Sequence, residues 1–163
     1  MASKIVLEDA KMLSPLEVAA SKMNGEVVYS FKKEFNMLLY TNCGTYMWSV
    51  KEGYLSNCGS IPWLGQMILR VKSYDQNNPL QNAAFFLHDD LYQKKGYGVF
   101  CRDDSDAICR GALREAGCSR YQASTIDFFL MLGACGHWGD NGYGNLDVMS
   151  SLEKISSSYS NLE

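Results

Sequence analysis

The chain is 163 residues long, 47% apolar and 20% charged, with a formal net charge of −3, which is enough sequence for one globular domain whose core needs no crosslinks. Lys and Arg form no run, so neither the clustered phosphate contacts of a nucleic-acid binder nor attraction to an anionic membrane surface is expected. The longest apolar stretch, Phe128 to Gly136, is about half of the roughly 20 residues that cross a bilayer, and no transmembrane segment is expected.

Met1-Ala2-Ser3-Lys4 leads to Glu8, Asp9 and Lys11 rather than to an apolar run, so no signal peptide is expected. Six cysteines are spread widely, with no CxxC pair. Reduced thiols packing as small hydrophobes are expected, in preference to disulfides or a zinc site.

Ser14-Pro15-Leu16-Glu17 forms a capping box with proline at the first helical position, and Gly25 follows Met23-Asn24 as a stop. This spacing predicts a short helix over Pro15 to Met23. From Glu26 the pattern becomes strand-like, with Val27 to Phe31, Met37 to Tyr40 and Thr45 to Val50 divided by polar and glycine-containing turns. Ser56 to Trp63 reads as a loop and Leu64 to Val71 as a short helix.

Asn78-Pro79 then opens a helix to about Lys95, Asp103 or Asp104 caps a second to Ala116, and Ser119 starts a third to about Cys135, with Gly96 and Gly117 as stops. The fold class is therefore α+β, a small antiparallel sheet of about three strands packed against a bundle of about three helices. Residues 1–148 are read as the single domain. Residues 149–163 are read as a flexible or docked C-terminal tail.

The helix from Pro79 carries the residues most suggestive of chemistry. His88 and Tyr92 are four apart and share a face, with Asp89 about 100° around the helix. If the next helix folds back across Gly96-Tyr97-Gly98, the hairpin midpoint falls near residue 97, and His88 stands level with Asp106. A carboxylate accepting the histidine's Nδ1–H fixes the tautomer and leaves the other ring nitrogen to take a proton from water.

In that reading His88 and Asp106 are catalytic, and Tyr92 orients Asp106. Asp89, with backbone carbonyls of a loop, holds a divalent cation such as calcium, and Asp90 is a weaker ligand or pocket residue. Asp103 and Asp104 complement the helix dipole, and Arg102 pairs with them. His137 and Trp138 follow the last helix and line a pocket mouth if that helix returns toward the hairpin. The chain has no GxSxG and no GxxxxGK[ST]. Cys58 beside Gly59 has nothing nearby in sequence to activate its thiol. A competing reading makes His88, Asp106, Tyr92 and Asp89 a buried polar network that fixes helix packing.

Several short motifs combine in order: Ser60-Ile61-Pro62, Ala83-Ala84 leading to His88-Asp89-Asp90-Leu91-Tyr92, Arg102 with Asp106, Ala112-Leu113 to Gly117, and Trp138. Together they resemble domain-of-unknown-function family 1353, small proteins found mostly in tailed phages and prophages, over roughly Tyr29 to Gly139. Where members typically read Asp-Gly-Ala-Ser-Ile-Pro, this chain has Asn57-Cys58-Gly59-Ser60-Ile61-Pro62. The resemblance implies a phage-encoded protein located in the host cytoplasm or the virion, with other phage virion or assembly proteins as partners. It also places Ser60 and Arg102 among the pocket residues.

A more distant similarity is to phospholipases A2, whose active helix also reads His-Asp-x-x-Tyr and whose second helix supplies an Asp to the histidine. His88, Asp89, Tyr92 and Asp106 match that order. Ala84, Phe85 and Leu91 stand where secreted members place disulfide cysteines, and their glycine-rich calcium loop is not recognisable upstream.

Overall fold

The computed structural model describes residues 5–58, 63–133, 137–139 and 149–157. Within them lie seven strands and four helices, an α+β arrangement. Strands β1 (Leu7–Met12), β4 (Phe35–Thr41), β5 (Gly44–Val50) and β7 (Ser150–Ser156) form one antiparallel sheet in the order β1-β4-β5-β7. A second antiparallel sheet holds β2 (Val18–Met23), β3 (Glu26–Phe31) and β6 (Leu55–Ser56) in the order β2-β3-β6. The strands thus outnumber the three expected and divide between two sheets.

The alternation that marks β4 and β5 in sequence sets which face is inward. Phe35, Met37 and Leu39 of β4 stand opposite Val50, Trp48 and Tyr46 of β5, and all six are buried. Each such side chain taken from water stabilises the fold by about 1.5–3 kcal/mol.

The expected helix over Pro15 to Met23 is absent, because its second half is strand β2. Asn24 and Gly25 have φ of 52° and 85°, the conformation of a two-residue hairpin turn for which Asn-Gly is the favoured pair. Met23 therefore pairs with Glu26, and Val18 with Phe31. The glycine read as a helix stop is a hairpin turn. At the other end of the chain, β7 pairs along β5 where composition suggested a tail. At Gly44 a Cβ would lie 2.4 Å from the Ser156 carbonyl oxygen, so this approach requires glycine.

The helices follow their sequence signals closely. After α1 (Trp63–Leu69), α2 (Pro79–Gln93) starts at Asn78, whose side chain accepts from the Gln81 amide at 3.1 Å. From Gln81 to His88 every residue of α2 is buried, so this helix runs through the interior. Helix α3 (Arg102–Glu115) packs on α2 and β1, and α4 (Arg120–Gly133) packs on α3. Asn78 Nδ2 donates to the Ala116 carbonyl at 2.9 Å and closes the open end of the α2–α3 hairpin.

The turn between α2 and α3 is left-handed: Lys95, Gly96, Tyr97 and Gly98 have φ of 50°, 62°, 57° and 70°. Glycine takes this conformation freely, whereas Lys95 and Tyr97 each cost about 1–2 kcal/mol. Among the described residues no helix is long and apolar enough to cross a membrane. The five described cysteines are free thiols; Cys58, Cys109 and Cys118 are buried, Cys43 is half-buried and Cys101 exposed.

Candidate functional site

The α2–α3 hairpin places His88 against Asp106. His88 Nε2 lies 2.9 Å from Asp106 Oδ1, and the Tyr92 hydroxyl donates to the same oxygen at 2.7 Å. The imidazole and phenol rings lie 4.3 Å apart, one helical turn from each other on α2. The nitrogen facing the carboxylate is Nε2, not the expected Nδ1, because the ring projects from α2 with its far end toward α3. Nδ1 makes no hydrogen bond to a described residue, and it is not among the sealed, unpaired atoms of the interior.

The cluster is nearly closed to solvent, with His88 5%, Asp106 8% and Tyr92 4% exposed. Burial pushes the Asp106 carboxyl up, but the bonds from His88 and Tyr92 and the charge of Arg102 outweigh it and hold the group below the ordinary carboxyl range. Burial drives the Tyr92 phenol well above its usual value, and Asp106 adds to the rise, so Tyr92 stays a donor. The site is thus an ionised carboxylate with two converging donors on one oxygen.

Arg102 does not pair with Asp103 or Asp104 as expected. Its Nε donates to the Tyr92 hydroxyl at 3.1 Å, its Nη2 donates to the Met131 carbonyl at 3.3 Å, and the guanidinium lies 5.8 Å from the Tyr92 ring centre. Trp138 meets the Tyr92 ring edge-on at 5.1 Å, and the Gly139 amide donates to the Tyr92 carbonyl at 2.7 Å. Trp138 therefore joins the site, whereas His137 is exposed.

The two acids after His88 face different neighbours. Asp89 is partly buried, accepts from Gln93 Nε2 at 3.2 Å and is bonded by Ser56; burial raises its pKa against those two bonds. Asp90 is fully buried rather than at a pocket wall. It accepts from Trp48 Nε1 at 2.7 Å, from Ser150 Oγ at 2.7 Å and from the Tyr97 hydroxyl. It thereby joins β5, β7, α2 and the left-handed turn.

Calcium takes six to eight oxygen ligands. Among the described residues no group of three or more His, Cys, Asp or Glu could hold a metal ion. Asp89, with Asp90 sealed away, does not make such a set. Ser60 lies outside the described residues. Cys58 is buried, and burial together with the Asp89 charge pushes its thiol well above normal, which removes it as a nucleophile.

One neighbour of the site was not anticipated. Arg110, one turn along α3 from Asp106, bonds Asp127 of α4. Burial raises the Asp127 pKa, and Asp106 adds to the rise against the pull of Arg110. The signal was a lone acid in the apolar run Ile126-Asp127-Phe128-Phe129-Leu130, since an acid there needs a cation.

A family model described as a protein of unknown function (DUF1353) matches residues 34–128, more than half of the chain. No curated protein and no solved structure matches.

Proposed function

The chain belongs to the DUF1353 family of proteins of unknown function, and on that premise we propose that it is a small phage-encoded hydrolase with His88 as general base. The observation that carries the proposal is the 2.9 Å contact of His88 Nε2 with Asp106, which leaves Nδ1 without a described partner. With its hydrogen on Nε2, the ring takes a proton from water at Nδ1 as the water oxygen attacks a carbonyl. Asp106 stabilises the imidazolium that forms, and the ring returns that proton to the leaving group. Such general-base assistance is worth about 10²–10⁴-fold in rate.

Tyr92 and Arg102 act through Asp106: Arg102 donates to the phenol oxygen, and the phenol donates to the carboxylate. The order His88, Asp89, Tyr92, Asp106 resembles that of the phospholipase A2 active helix pair, which is the reason to include lipid esters in the assay. No step is routed through a cation.

Burial of the cluster favours a second reading. In it the protein is a non-enzymatic phage virion, assembly or host-interaction component, and the His/Asp/Tyr cluster locks α2 to α3. A panel of carboxylic esters, phospholipid vesicles and amides assayed with the wild type, His88→Ala and Asp106→Asn separates the two. The hydrolase reading expects turnover of a panel member, lost by about 100-fold or more in a folded His88→Ala protein. Absence of turnover by the wild type, or turnover undiminished in the variant, overturns it.

A further inference from the structure

A cleft of about 510 Å³ opens on the face of the small sheet, lined by Glu26, Val27 and Tyr29 of β3, Asn57, Gln66 of α1, and Lys72-Ser73-Tyr74. That volume lies in the range of sites for small ligands. We propose that this cleft binds a neutral carbohydrate, one or two sugar rings in extent.

The segment that forms its wall is held rigidly from behind. Gln81 and Asn82, amide side chains buried in α2, were not singled out by sequence because they interrupt an apolar face without titratable chemistry. Gln81 Nε2 donates to the Lys72 carbonyl at 2.9 Å, and Asn82 both donates to the Asp75 carbonyl at 2.7 Å and accepts from the Asp75 amide at 2.9 Å. The Ser73 amide donates to Gln66 Oε1 at 3.3 Å, and the Cys58 thiol donates to the Ser73 carbonyl at 3.2 Å. A non-helical segment tied at five points presents its side chains in fixed positions, so a ligand that meets them has little ordering left to offset.

Those side chains have the chemistry of polyol recognition. Tyr74 stacks on Tyr29 with ring centres 4.5 Å apart and planes 17° from parallel, and Tyr29 meets Phe86 edge-on at 5.9 Å. Tyr74 is thus a braced flat platform for the C–H face of a sugar ring. Burial raises both phenols, which keeps them protonated and able to donate and accept. Asn57 and Gln66 make the remaining lining polar and uncharged. Ser73 Oγ is closed from solvent and has no hydrogen-bond partner. Rotating it toward the cleft gains a ligand bond and breaks none.

Glu26 and Lys72 are opposite in charge and make the lining neutral, which disfavours a phosphate-bearing ligand.

The test is amide chemical-shift mapping of the full chain, with maltotriose and triacetylchitotriose as glycan probes and a short end-blocked Val/Thr peptide as the strand-adding probe. Saturable shifts at Asn57, Gln66 and Tyr74 are expected with at least one glycan at a dissociation constant of about 1 mM. Tyr74→Leu keeps the bulk and weakens binding by about 10-fold or more. Thermal unfolding of Tyr74→Leu checks that the variant is folded. The proposal is overturned if neither glycan shifts the cleft at about 10 mM, if the peptide alone does so, or if Tyr74→Leu binds like the wild type.

Discussion

Asp90 is the residue whose replacement is most informative about how the fold is held. Its oxygens meet Trp48 Nε1 at 2.7 Å, Ser150 Oγ at 2.7 Å and the Tyr97 hydroxyl, and the last two lie 2.7 Å from each other. Trp48, Tyr97 and Ser150 bring one hydrogen each to this cluster, and the buried Tyr54 hydroxyl also faces the Asp90 carboxyl. Burial raises the Asp90 pKa, against the bonds from Tyr97, Ser150, Trp48 and Tyr54 that lower it.

Asp90→Asn keeps the side-chain volume and an acceptor oxygen and is expected to cost no more than about 1 kcal/mol. Asp90→Ala strips the acceptor from the fully buried Trp48 indole, about 1–3 kcal/mol, and leaves a void worth roughly 1 kcal/mol more. The expected total is about 2–4 kcal/mol in urea unfolding at neutral pH. A carboxyl with raised folded pKa contributes stability that is complete below its unfolded pKa and lost as pH rises through the folded value. The wild type should therefore lose stability relative to Asp90→Asn as pH rises. An Asn variant as damaged as the Ala variant, or a difference that does not change with pH, refutes the reasoning.

Asp106 has the opposite sign. Its folded pKa is lowered, so its contribution is present above the unfolded carboxyl value and lost as pH falls through the folded one. Asp106→Asn should cost about 1–3 kcal/mol at neutral pH and flatten the acid limb of the stability profile, as read by thermal unfolding from neutral to acid pH. At Gly111 an added Cβ would lie 2.6 Å from Leu7 Cβ, where α3 crosses β1. Gly111→Ala should destabilise by about 1–3 kcal/mol from overpacking, reduced by roughly 1 kcal/mol of helix propensity, and denaturant unfolding reads the net loss.

The helical half of the molecule was legible because its signals are local. Asn78-Pro79 fixes the start of α2, the 96–98 turn fixes the hairpin midpoint, and the symmetry of positions 88 and 106 about that midpoint brings imidazole and carboxylate together. What was illegible depends on partners distant in sequence. Strand β2 exists because an Asn-Gly turn lets it pair with β3, which outweighs a good local capping box. Strand β7 exists because β5 offers it an edge, although its own composition suggests a tail. Asp89 and Asp90 look alike in sequence, but only the second meets Trp48 and Ser150, residues 42 and 60 positions away. Which ring nitrogen of His88 faces Asp106 depends on a side-chain torsion that helix periodicity does not specify.

The account rests on the tautomer of His88, and nitrogen-15 NMR of the folded chain with labelled histidine reads it directly. In the neutral ring the account predicts a hydrogen on Nε2, coupled to Asp106 and displaced in Asp106→Asn, with Nδ1 bare and responsive to solvent. A hydrogen on Nδ1 in the neutral ring, or a ring indifferent to the loss of the Asp106 charge, would contradict it.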